Sequence, residues 1–404
     1  MSSSKDLESK ECNPFSTSKF LEDVFMCSLV AFGGPEAHLG VFLDRMVEKK
    51  KYLSEKALLE WMALCSFLPG PTSTQVITAI GLEKGGRKLA LLTLLIWAFP
   101  AICLMTFISL IPNFLNDNNH SNLMGFLPPM AAGFIAWAAW VLGRKVCANI
   151  LTFLLWFFGL IIPLISSSPW IIPFAFLLGG TLSVWFSPNE DNRVEFSVYK
   201  LSMPWGMLLL FTSLLLGGIL GSKFTEHTLL QTFERFFRYG YLVFGGGQVV
   251  VPLMQGELVN SARLMTQDDF LTGFGLVQAI PGPMFSFAAY AGGLSEQDSG
   301  IMRQCLSSII SGFSIFLPGT ILLFIVYPFW EKLKSLSWAH RALKGVNAMA
   351  SGLVAGVFFN ILIYTNWCQT EIICLVLSIG LLISRKIHAP YVLMIVGLVY
   401  CLLD

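Results

Sequence analysis

Long apolar segments separated by short polar turns make up most of this 404-residue chain. A helix needs about 20 predominantly apolar residues to cross the hydrocarbon core of a bilayer. The hydropathy pattern therefore predicts an all-α integral membrane protein. The predicted spans lie near residues 88–111, 125–143, 148–165, 169–187, 204–221, 302–329, 342–365, 370–384 and 389–403.

Other predicted helices are too short to cross a bilayer. In the first half they cover about 18–33, 36–48, 54–68 and 72–81, with Ser54 as the N-cap of the third. In the second half they cover 228–244, 248–260, 266–280 and 283–293. Since these segments lie in an otherwise apolar chain, we predict that they form broken or re-entrant helices within the membrane.

A Gly/Pro signature interrupts these short helices and occurs twice. The first copy is Phe-Gly-Gly-Pro at 32–35 with Leu-Pro-Gly-Pro at 68–71. The second is Phe-Gly-Gly-Gly at 244–247 with Ile-Pro-Gly-Pro at 280–283, so both parts recur at an offset of 212 (244 − 32 and 280 − 68). Glycine and proline break helices, and a break inside the membrane must be buried in protein. The matched spacing predicts an internal duplication.

The duplication continues through the long spans, with a small insertion in the second half. Pro100 corresponds to Pro318 and Met130 to Met349, at offsets of 218 and 219 (318 − 100 and 349 − 130). A polar stretch at 188–203 separates the halves. We therefore predict a polar tail at 1–17, a first repeat at 18–187, a polar linker with one connecting helix at 188–227, and a second repeat at 228–404.

Composition agrees with a membrane protein. The chain is 55% hydrophobic and only 13% charged, whereas soluble domains carry about 25% charged residues. The net charge of +1 argues against a nucleic-acid partner. Nine cysteines are scattered without a CxxC pair, so the sequence predicts no disulfide framework, no metal site and no cofactor.

The distribution of Lys and Arg predicts the orientation of the two halves, because short loops rich in these residues favour the cytoplasm. Lys84, Arg87 and Lys88 precede the span 88–111, whereas the basic residues at 332–344 follow the span 302–329. The halves are therefore predicted to be inverted repeats. We place them in the cytoplasmic membrane, with the N-terminus in the cytoplasm and the C-terminus outside.

Broken helices within a membrane can bind an anion. A helix that begins there leaves its first backbone N–H groups unpaired and directs the positive end of its dipole to that point. Glycine lets an anion approach the backbone closely, and proline suits the first position of a helix. Neutral side chains near these helix starts would add further donors: Thr72, Ser73, Thr74, Gln75, Gln248 and Ser286. An anion held without a fixed charge is also released readily, as transport requires.

Several candidate residues have a second interpretation. His38 is either a ligand or a packed histidine, and Arg45 either attracts the anion or forms a local ion pair. The Pro-Gly-Pro segments could be structural kinks only. The basic run 49–51 is interpreted as a cytoplasmic anchor. Buried glutamates could relay protons and exposed ones would be solvated; the candidates are Glu36, Glu60, Glu234 and Glu257.

The residues around both signatures resemble the chromate ion transporter family in its long, two-domain form. In the first half the similarity includes the signature at 32–35, Ala37 and His38, a basic run before Tyr52, and Phe-Leu-Pro-Gly-Pro at 67–71 with Gln75. In the second half it includes the signature at 244–247, Pro-Leu at 252–253, Gln-Ala-Ile-Pro-Gly-Pro at 278–283 and the segment 285–292. The chain departs from the family at Ser66 and Gln248, where the family often has Gln and His.

The resemblance implies antiparallel halves and efflux of chromate that confers resistance. Sulfate is an alternative substrate, since chromate and sulfate are tetrahedral dianions of similar size. The predicted substrate-binding residues are Gly33, Gly34, Pro35, His38, Arg45, Ser66, Pro69, Gly70, Pro71, Thr72, Ser73, Gln75, Gly245, Gly246, Gly247, Gln248, Gln278, Pro281, Gly282, Pro283 and Ser286. The expected partners are the oxyanion and the lipid bilayer, and a homodimer is left open.

The leading hypothesis is secondary transport of a tetrahedral oxyanion by alternating access between the halves. The chain has no Walker A sequence, so direct use of ATP is not expected. A passive anion channel could share the same fold. An intramembrane enzyme is the third possibility, but the candidate segments contain neither HExxH nor GxSxG, so we do not expect an enzyme.

Overall fold

The computed structural model describes residues 15–114, 124–166, 171–187, 203–224, 228–244, 247–330, 336–384 and 387–403. Helices dominate these ranges, and none of the residues in them is in a β-strand. The all-α fold predicted from the sequence is therefore confirmed. The predicted tail up to residue 14, the linker at 188–202, and the candidate ligands Gly245 and Gly246 lie outside the described residues.

The helices of the described residues follow the predicted order. The first half and the connecting helix contain α1 (Thr17–Val30), α2 (Pro35–Phe42), α3 (Glu55–Phe67), α4 (Thr72–Leu110), α5 (Leu127–Val146), α6 (Ile150–Ile165), α7 (Ile171–Phe186) and α8 (Trp205–Phe224). The second half contains α9 (Thr228–Leu242), α10 (Val250–Gln255), α11 (Gln267–Ala279), α12 (Phe287–Leu294), α13 (Ile301–Ser314), α14 (Leu317–Val326), α15 (Ser337–Tyr364), α16 (Gln369–Ile383) and α17 (Ala389–Leu403). The elements of the first half recur in the same order in the second.

Polar caps and glycines set several of the helix ends. The hydroxyl of Ser54 accepts a hydrogen bond from the amide of Ala57 at the start of α3, so the predicted cap is confirmed. Thr266 caps α11 at the equivalent position. Within α4, the φ and ψ angles of Gly85 and Gly86 leave the helical region, so α4 consists of a short helix and a long one. This break falls in the predicted gap between 81 and 88.

A π-helical segment follows the second helix of each half. These segments are Leu43–Lys49 and Gly256–Ser261. Each is followed by a basic residue with positive φ, Lys51 at 53° or Arg263 at 50°. The sequence predicted ordinary helix at 36–48 and 248–260, because hydrophobic periodicity over so few residues does not distinguish a π-helix from an α-helix.

Four helical segments among the described residues are long and apolar enough to cross a membrane. They are Thr72–Leu110, Trp205–Ser222, Ile301–Phe329 and Ser337–Tyr364. The apolar helices α6, α7, α16 and α17 have only 15 or 16 residues, or about 24 Å at the rise of an α-helix, against a core of about 30 Å. The bounds of these four helices agree with the predicted segments to within two residues, and each helix is shorter than the roughly 20 residues of a typical span. Asn149 and Cys368 cap α6 and α16.

Apolar side chains also cover the outside of the fold. Phe107, Trp185 and Leu209 are 65%, 82% and 66% exposed. Soluble monomers rarely carry large contiguous apolar surfaces, whereas lipid-facing helices require them. The long helices and this surface together indicate a multi-pass membrane protein.

The two halves exchange the same loop contact in both directions. The amide of Gly70 donates a hydrogen bond to the carbonyl of Val243 (2.7 Å), and the amide of Gly282 donates to the carbonyl of Ala31 (2.8 Å). At the offset of 212, Gly70 corresponds to Gly282 and Ala31 to Val243. A contact that returns with its partners exchanged is typical of a two-fold relation. Each Pro-Gly-Pro loop thus contacts the end of the first helix in the other half.

The long helices cross between the halves in the same reciprocal way. A Cβ atom added at Gly352 of α15 would collide with the carbonyl oxygen of Trp156 in α6. A Cβ atom at Gly133 of α5 would lie 3.4 Å from the carbonyl oxygen of Leu375 in α16. Gly133 corresponds to Gly352 and Trp156 to Leu375 at the offset of 219. Small residues let membrane helices approach closely, and here they join one half to the other.

Candidate functional site

A cavity of about 1030 Å³, open to the surface, lies between the two halves. Seven of the predicted ligands line it, although they come from two segments at least 174 residues apart in sequence (247 − 73). They are Gly33, Ser66, Thr72, Ser73, Gly247, Gln248 and Gln278. The fold therefore brings residues from both Gly/Pro signature regions to one cavity. That these residues bind an anion stays a prediction.

Two helix starts of the first half border the cavity. α2 begins at Pro35, after Gly33 and Gly34, whose φ angles of 83° and 89° favour glycine. α4 begins at Thr72, and both Thr72 and Ser73 line the cavity. The first amides of a helix have no acceptor within it, and the positive end of the helix dipole lies there. The first half thus provides backbone and hydroxyl donors for an anion.

The corresponding helix start in the second half is filled by apolar side chains. Met284 and Phe285 occupy the positions of Thr72 and Ser73, and they are only 6% and 2% exposed. The second half contributes the amide of Gln278 instead, whose nitrogen lies 3.2 Å from the sulfur of Met284. The cavity is therefore chemically asymmetric, although a duplicated fold builds it.

His38 lies behind the cavity wall. It is 1% exposed, and its Nδ1 atom is 2.9 Å from the hydroxyl of Ser73, which does line the cavity. The imidazole ring packs edge-on against Trp97, whose indole N–H donates to the hydroxyl of Thr74 (3.1 Å). His38 is thus packed in the protein and holds a lining residue in place.

Arg45 forms an ion pair away from the cavity. Its guanidinium donates to Oδ1 of Asp23 from two nitrogens, at 2.8 and 3.0 Å. Tyr52 donates to Oδ2 of Asp23 (2.8 Å), and the ammonium of Lys50 lies 3.2 Å from Oδ1. Asp23 is only 2% exposed. Of the two interpretations of Arg45, the structure shows the ion pair, and its partner is Asp23 on α1.

The second half has the same ion pair with the charges exchanged. Arg235 and Glu257 occupy the positions of Asp23 and Arg45, and Nε of Arg235 donates to Oε1 of Glu257 (3.2 Å). Arg238 donates two further hydrogen bonds to Glu257, at 2.9 and 3.0 Å. Glu257, one of the glutamates considered as a proton relay, is therefore a buried partner of two arginines.

The Pro-Gly-Pro segments pack between the halves, outside the cavity lining. Gly70 and Gly282 each have a φ angle of 114°, and their amides are used in the reciprocal hydrogen bonds. Gln75 donates to the carbonyl of Gly319 in the other half (3.2 Å). The predicted ligands in this group, none of which lines the cavity, are Pro69, Gly70, Pro71, Gln75, Pro281, Gly282, Pro283 and Ser286.

Four polar residues of the cavity were missed by the sequence analysis. They are Asn347 and Ser351 on α15, Lys145 at the end of α5, and His388 before α17. One Asn and one Ser in an apolar span hardly change its mean hydropathy. The available signal was the segment Met-Ala-Ser-Gly at 349–352, which differs from its counterpart Met-Ala-Ala-Gly at 130–133 only at Ser351.

Charge is concentrated at the edge of the cavity. Lys145 and His388 are exposed, and the other polar residues that line it are neutral. Within the described ranges, no group of three or more His, Cys, Asp or Glu side chains is placed to hold a metal ion. The lining can therefore donate hydrogen bonds to an anion from neutral groups, while the basic side chains lie at its mouth.

The position related to this cavity by the duplication holds only a small cavity. Ala138 and Val141 of α5 line the large cavity. Their equivalents, Val357 and Asn360 of α15, line a cavity of about 20 Å³. The duplicated fold thus holds a large cavity on one side and a much smaller one at the equivalent place on the other.

Comparison with known proteins gives a single family. A family model described as "Chromate transporter" matches residues 19–183 and 230–402. A chromate transport protein of Pseudomonas aeruginosa is 24% identical over 331 residues, which cover 81% of this chain and 76% of that protein. A chromate transport protein of Cupriavidus metallidurans is 24% identical over 339 residues, covering 81% and 78%. An uncharacterized transporter of Methanocaldococcus jannaschii is 25% identical over 408 residues, covering 99% and 97%. No solved structure matches the chain.

Proposed function

The chain belongs to the chromate transporter family, and from this premise we propose that it is a secondary transporter of tetrahedral oxyanions with chromate as its substrate. Membership of this family supports an anion transporter with several membrane spans. The substrate, the transport cycle and the orientation belong to the proposal. Each of them rests on the cavity and on the contacts between the halves.

The difference in volume between the two equivalent cavities is the main support for the proposal. The cavity beside Val141 measures about 1030 Å³, and its counterpart beside Asn360 about 20 Å³. The reciprocal contacts of Gly70 and Gly282 support a two-fold relation between the halves. If the two halves exchange their conformations, the large cavity closes and the small one opens. Inverted repeats in secondary transporters work by such an exchange, which is alternating access.

The chemistry of the lining supports a dianion that is held by hydrogen bonds. Thr72 and Ser73 lie at a helix start, and Gln248 and Gln278 bring amide groups from the other half. Chromate and sulfate present four oxygens each, which accept hydrogen bonds from many directions. Neutral donors bind such an anion without the strong attraction of a buried cation, so release remains fast. Sulfate is the alternative substrate of the same site.

Export towards the outside is the direction that the charges favour. Lys145 ends α5 and lies at the mouth of the cavity with His388. Since basic residues favour the cytoplasmic side, the open cavity is assigned to the cytoplasm. An inside-negative potential drives an anion outwards by about 2.3 kcal/mol per charge per 100 mV. A dianion can therefore leave the cell without ATP.

Flux measurements in proteoliposomes test this function. The purified full chain is reconstituted, a potential is set, and uptake of radiolabelled chromate is measured against unlabelled chromate, sulfate and molybdate. We expect saturable flux that all three tetrahedral anions inhibit and that follows the potential. Flux that rises linearly with concentration and carries a large current would identify a channel. Absence of chromate flux would refute the proposal.

A further inference from the structure

Ser351 of α15 has a buried hydroxyl without a hydrogen-bond partner among the described residues. The residue is 2% exposed, its Oγ atom is buried, and it lines the large cavity. A hydroxyl that is buried without a partner destabilises the fold, because it loses its hydrogen bonds to water. An acceptor or donor supplied by a ligand in the cavity would remove this cost.

Other buried serines on helices use their hydroxyls differently. Ser311, Ser314 and Ser378 each donate to a carbonyl one turn earlier in their own helix. This bond is available to almost any helical serine. Ser351 could make it to the carbonyl of Asn347 and does not. Its hydroxyl is therefore left for the cavity.

Asn347 lies one turn before Ser351 on the same face of α15. It also lines the cavity, and its Oδ1 atom is buried without a partner among the described residues. Residues four apart on a helix are neighbours on its surface. The two side chains thus present a carboxamide and a hydroxyl side by side, and neither is used to hold the fold together.

The equivalent positions in the first half are apolar. Pro128 and Ala132 of α5 correspond to Asn347 and Ser351 at the offset of 219. The polar pair is thus not required by the duplicated helix packing, which the first half achieves without it. It occurs only in the half whose helix start is filled by Met284 and Phe285. The polar pair supplies hydrogen-bonding groups on the side that lacks an open helix start.

We infer that Asn347 and Ser351 bind the oxyanion directly, opposite the helix start at Thr72 and Ser73, and determine which oxyanion is preferred. The inference rests on the proposed transport function and adds the residues that recognise the substrate. The amide nitrogen of Asn347 and the hydroxyl of Ser351 donate to anion oxygens. The nitrogen and oxygen of an Asn side chain are told apart only by their hydrogen bonds. A rotation of the amide group therefore brings the nitrogen of Asn347 to the position of its Oδ1 atom, which is unpaired among the described residues.

Direct binding to the purified full chain in detergent tests this assignment. Radiolabelled chromate is titrated, and sulfate is used as a competitor. Ser351→Ala removes one hydrogen bond to a charged ligand, so we expect affinity to fall about tenfold to a hundredfold. The chromate-to-sulfate preference is also expected to change. Ser378→Ala is the matched control, because this serine is equally buried but bonds to the carbonyl of Cys374.

Asn347→Asp distinguishes an anion site from a cation site. It keeps the shape of the side chain and adds a negative charge, so binding of chromate should fall below detection. Sodium is titrated in parallel as the probe for a cation. If Asn347→Asp retains chromate binding or gains sodium binding, the assignment is overturned. Thermal unfolding of each variant shows that it is folded.

The controls separate this inference from the proposed function. If the wild-type chain binds neither chromate nor sulfate, the transport proposal fails and this inference fails with it. If the wild type binds chromate and Ser351→Ala binds it equally well, the inference alone is refuted. The same conclusion follows if Ser378→Ala loses as much affinity as Ser351→Ala.

Discussion

Single residues at equivalent positions differ in chemistry while the backbone contacts around them are kept. The ion pair of Asp23 and Arg45 is replaced in the second half by Arg235 and Glu257, with the charges exchanged. Asp23 is 2% exposed, so its charge needs partners within the protein. The position requires a pair of opposite charges, and either polarity satisfies it.

Exchanging the charges of the first-half pair tests this interpretation. Asp23→Arg alone brings two guanidinium groups together and should destabilise the fold by about 3–5 kcal/mol. Adding Arg45→Glu recreates the polarity of the second half and should recover most of the loss. Lys50→Ala is included in every variant, because Ala262 occupies that position in the second half. The measurement is thermal unfolding in detergent.

An exposed pair serves as the control for that experiment. Asp44 and Lys49 lie 2.7 Å apart, with 54% and 66% of their side chains exposed. Exposed pairs contribute about 0–1 kcal/mol, so exchanging these two charges should barely change the unfolding temperature. A double variant at Asp23 and Arg45 that is no more stable than Asp23→Arg alone would contradict the interpretation.

At the scale of helices, some helices begin at the cavity and others pack the two halves together. The short helix α2 and the short first part of α4 begin at the cavity, where their first turns offer hydrogen-bond donors. The long helix α15 joins the halves through glycines that pack against α6. Close approach of backbones without side chains between them is how membrane helices associate tightly. The position of the cavity therefore depends on helix contacts that do not touch it.

Two glycine-to-alanine substitutions on neighbouring helices should have opposite effects. At Gly352, the new Cβ would collide with the backbone oxygen of Trp156, which cannot rotate away. We expect a low yield and a lower unfolding temperature. At Gly380 of α16, a Cβ would meet nothing within 4 Å, and alanine should stabilise the helix by about 0.5–1 kcal/mol. Equal stability of the two variants would show that α15 and α6 are not in this close contact.

At the scale of the whole molecule, one duplicated fold has two different states at once. The reciprocal contacts relate the halves, yet the two equivalent cavities differ greatly in volume, at about 1030 and 20 Å³. A transporter needs a second conformation in which the small cavity opens. The structure supports such a conformation, because one half borders a large cavity and the other half borders a small one at the equivalent position.

Cysteine labelling at one pair of equivalent positions can detect the exchange. In a background without reactive cysteines, Val141→Cys should react from the cytoplasmic side and Asn360→Cys should react little, because their cavities measure about 1030 and 20 Å³. Chromate supplied under transport conditions should increase labelling of Asn360→Cys from the outside. It should decrease labelling of Val141→Cys. Labelling of both positions from one side, unaffected by chromate, would contradict alternating access.

The sequence by itself determined the membrane class, the helix order and the duplication. Each of these depends on local patterns, such as apolar length, the Ser54 cap and Gly/Pro breaks at a constant offset. Five of the candidate ligands that line the cavity were also proposed in this way, since helix breaks within a membrane have few uses, whereas Ser66 and Gln278 were proposed from the resemblance to the family. The bounds of α6 and α16 were predicted to within two residues.

Only the tertiary structure decided which of these residues share a space. Gly70 and Gly282 lie in Pro-Gly-Pro loops that the sequence predicted to bind the anion, but their amides donate hydrogen bonds to the other half of the protein. Arg45 pairs with Asp23, which is 22 residues away in sequence. The buried hydroxyl of Ser351 has no hydrogen-bond partner among the described residues. Hydropathy and spacing describe one segment at a time. Pairing, burial and an open cavity arise between segments, so they follow from the packing of the two halves against each other.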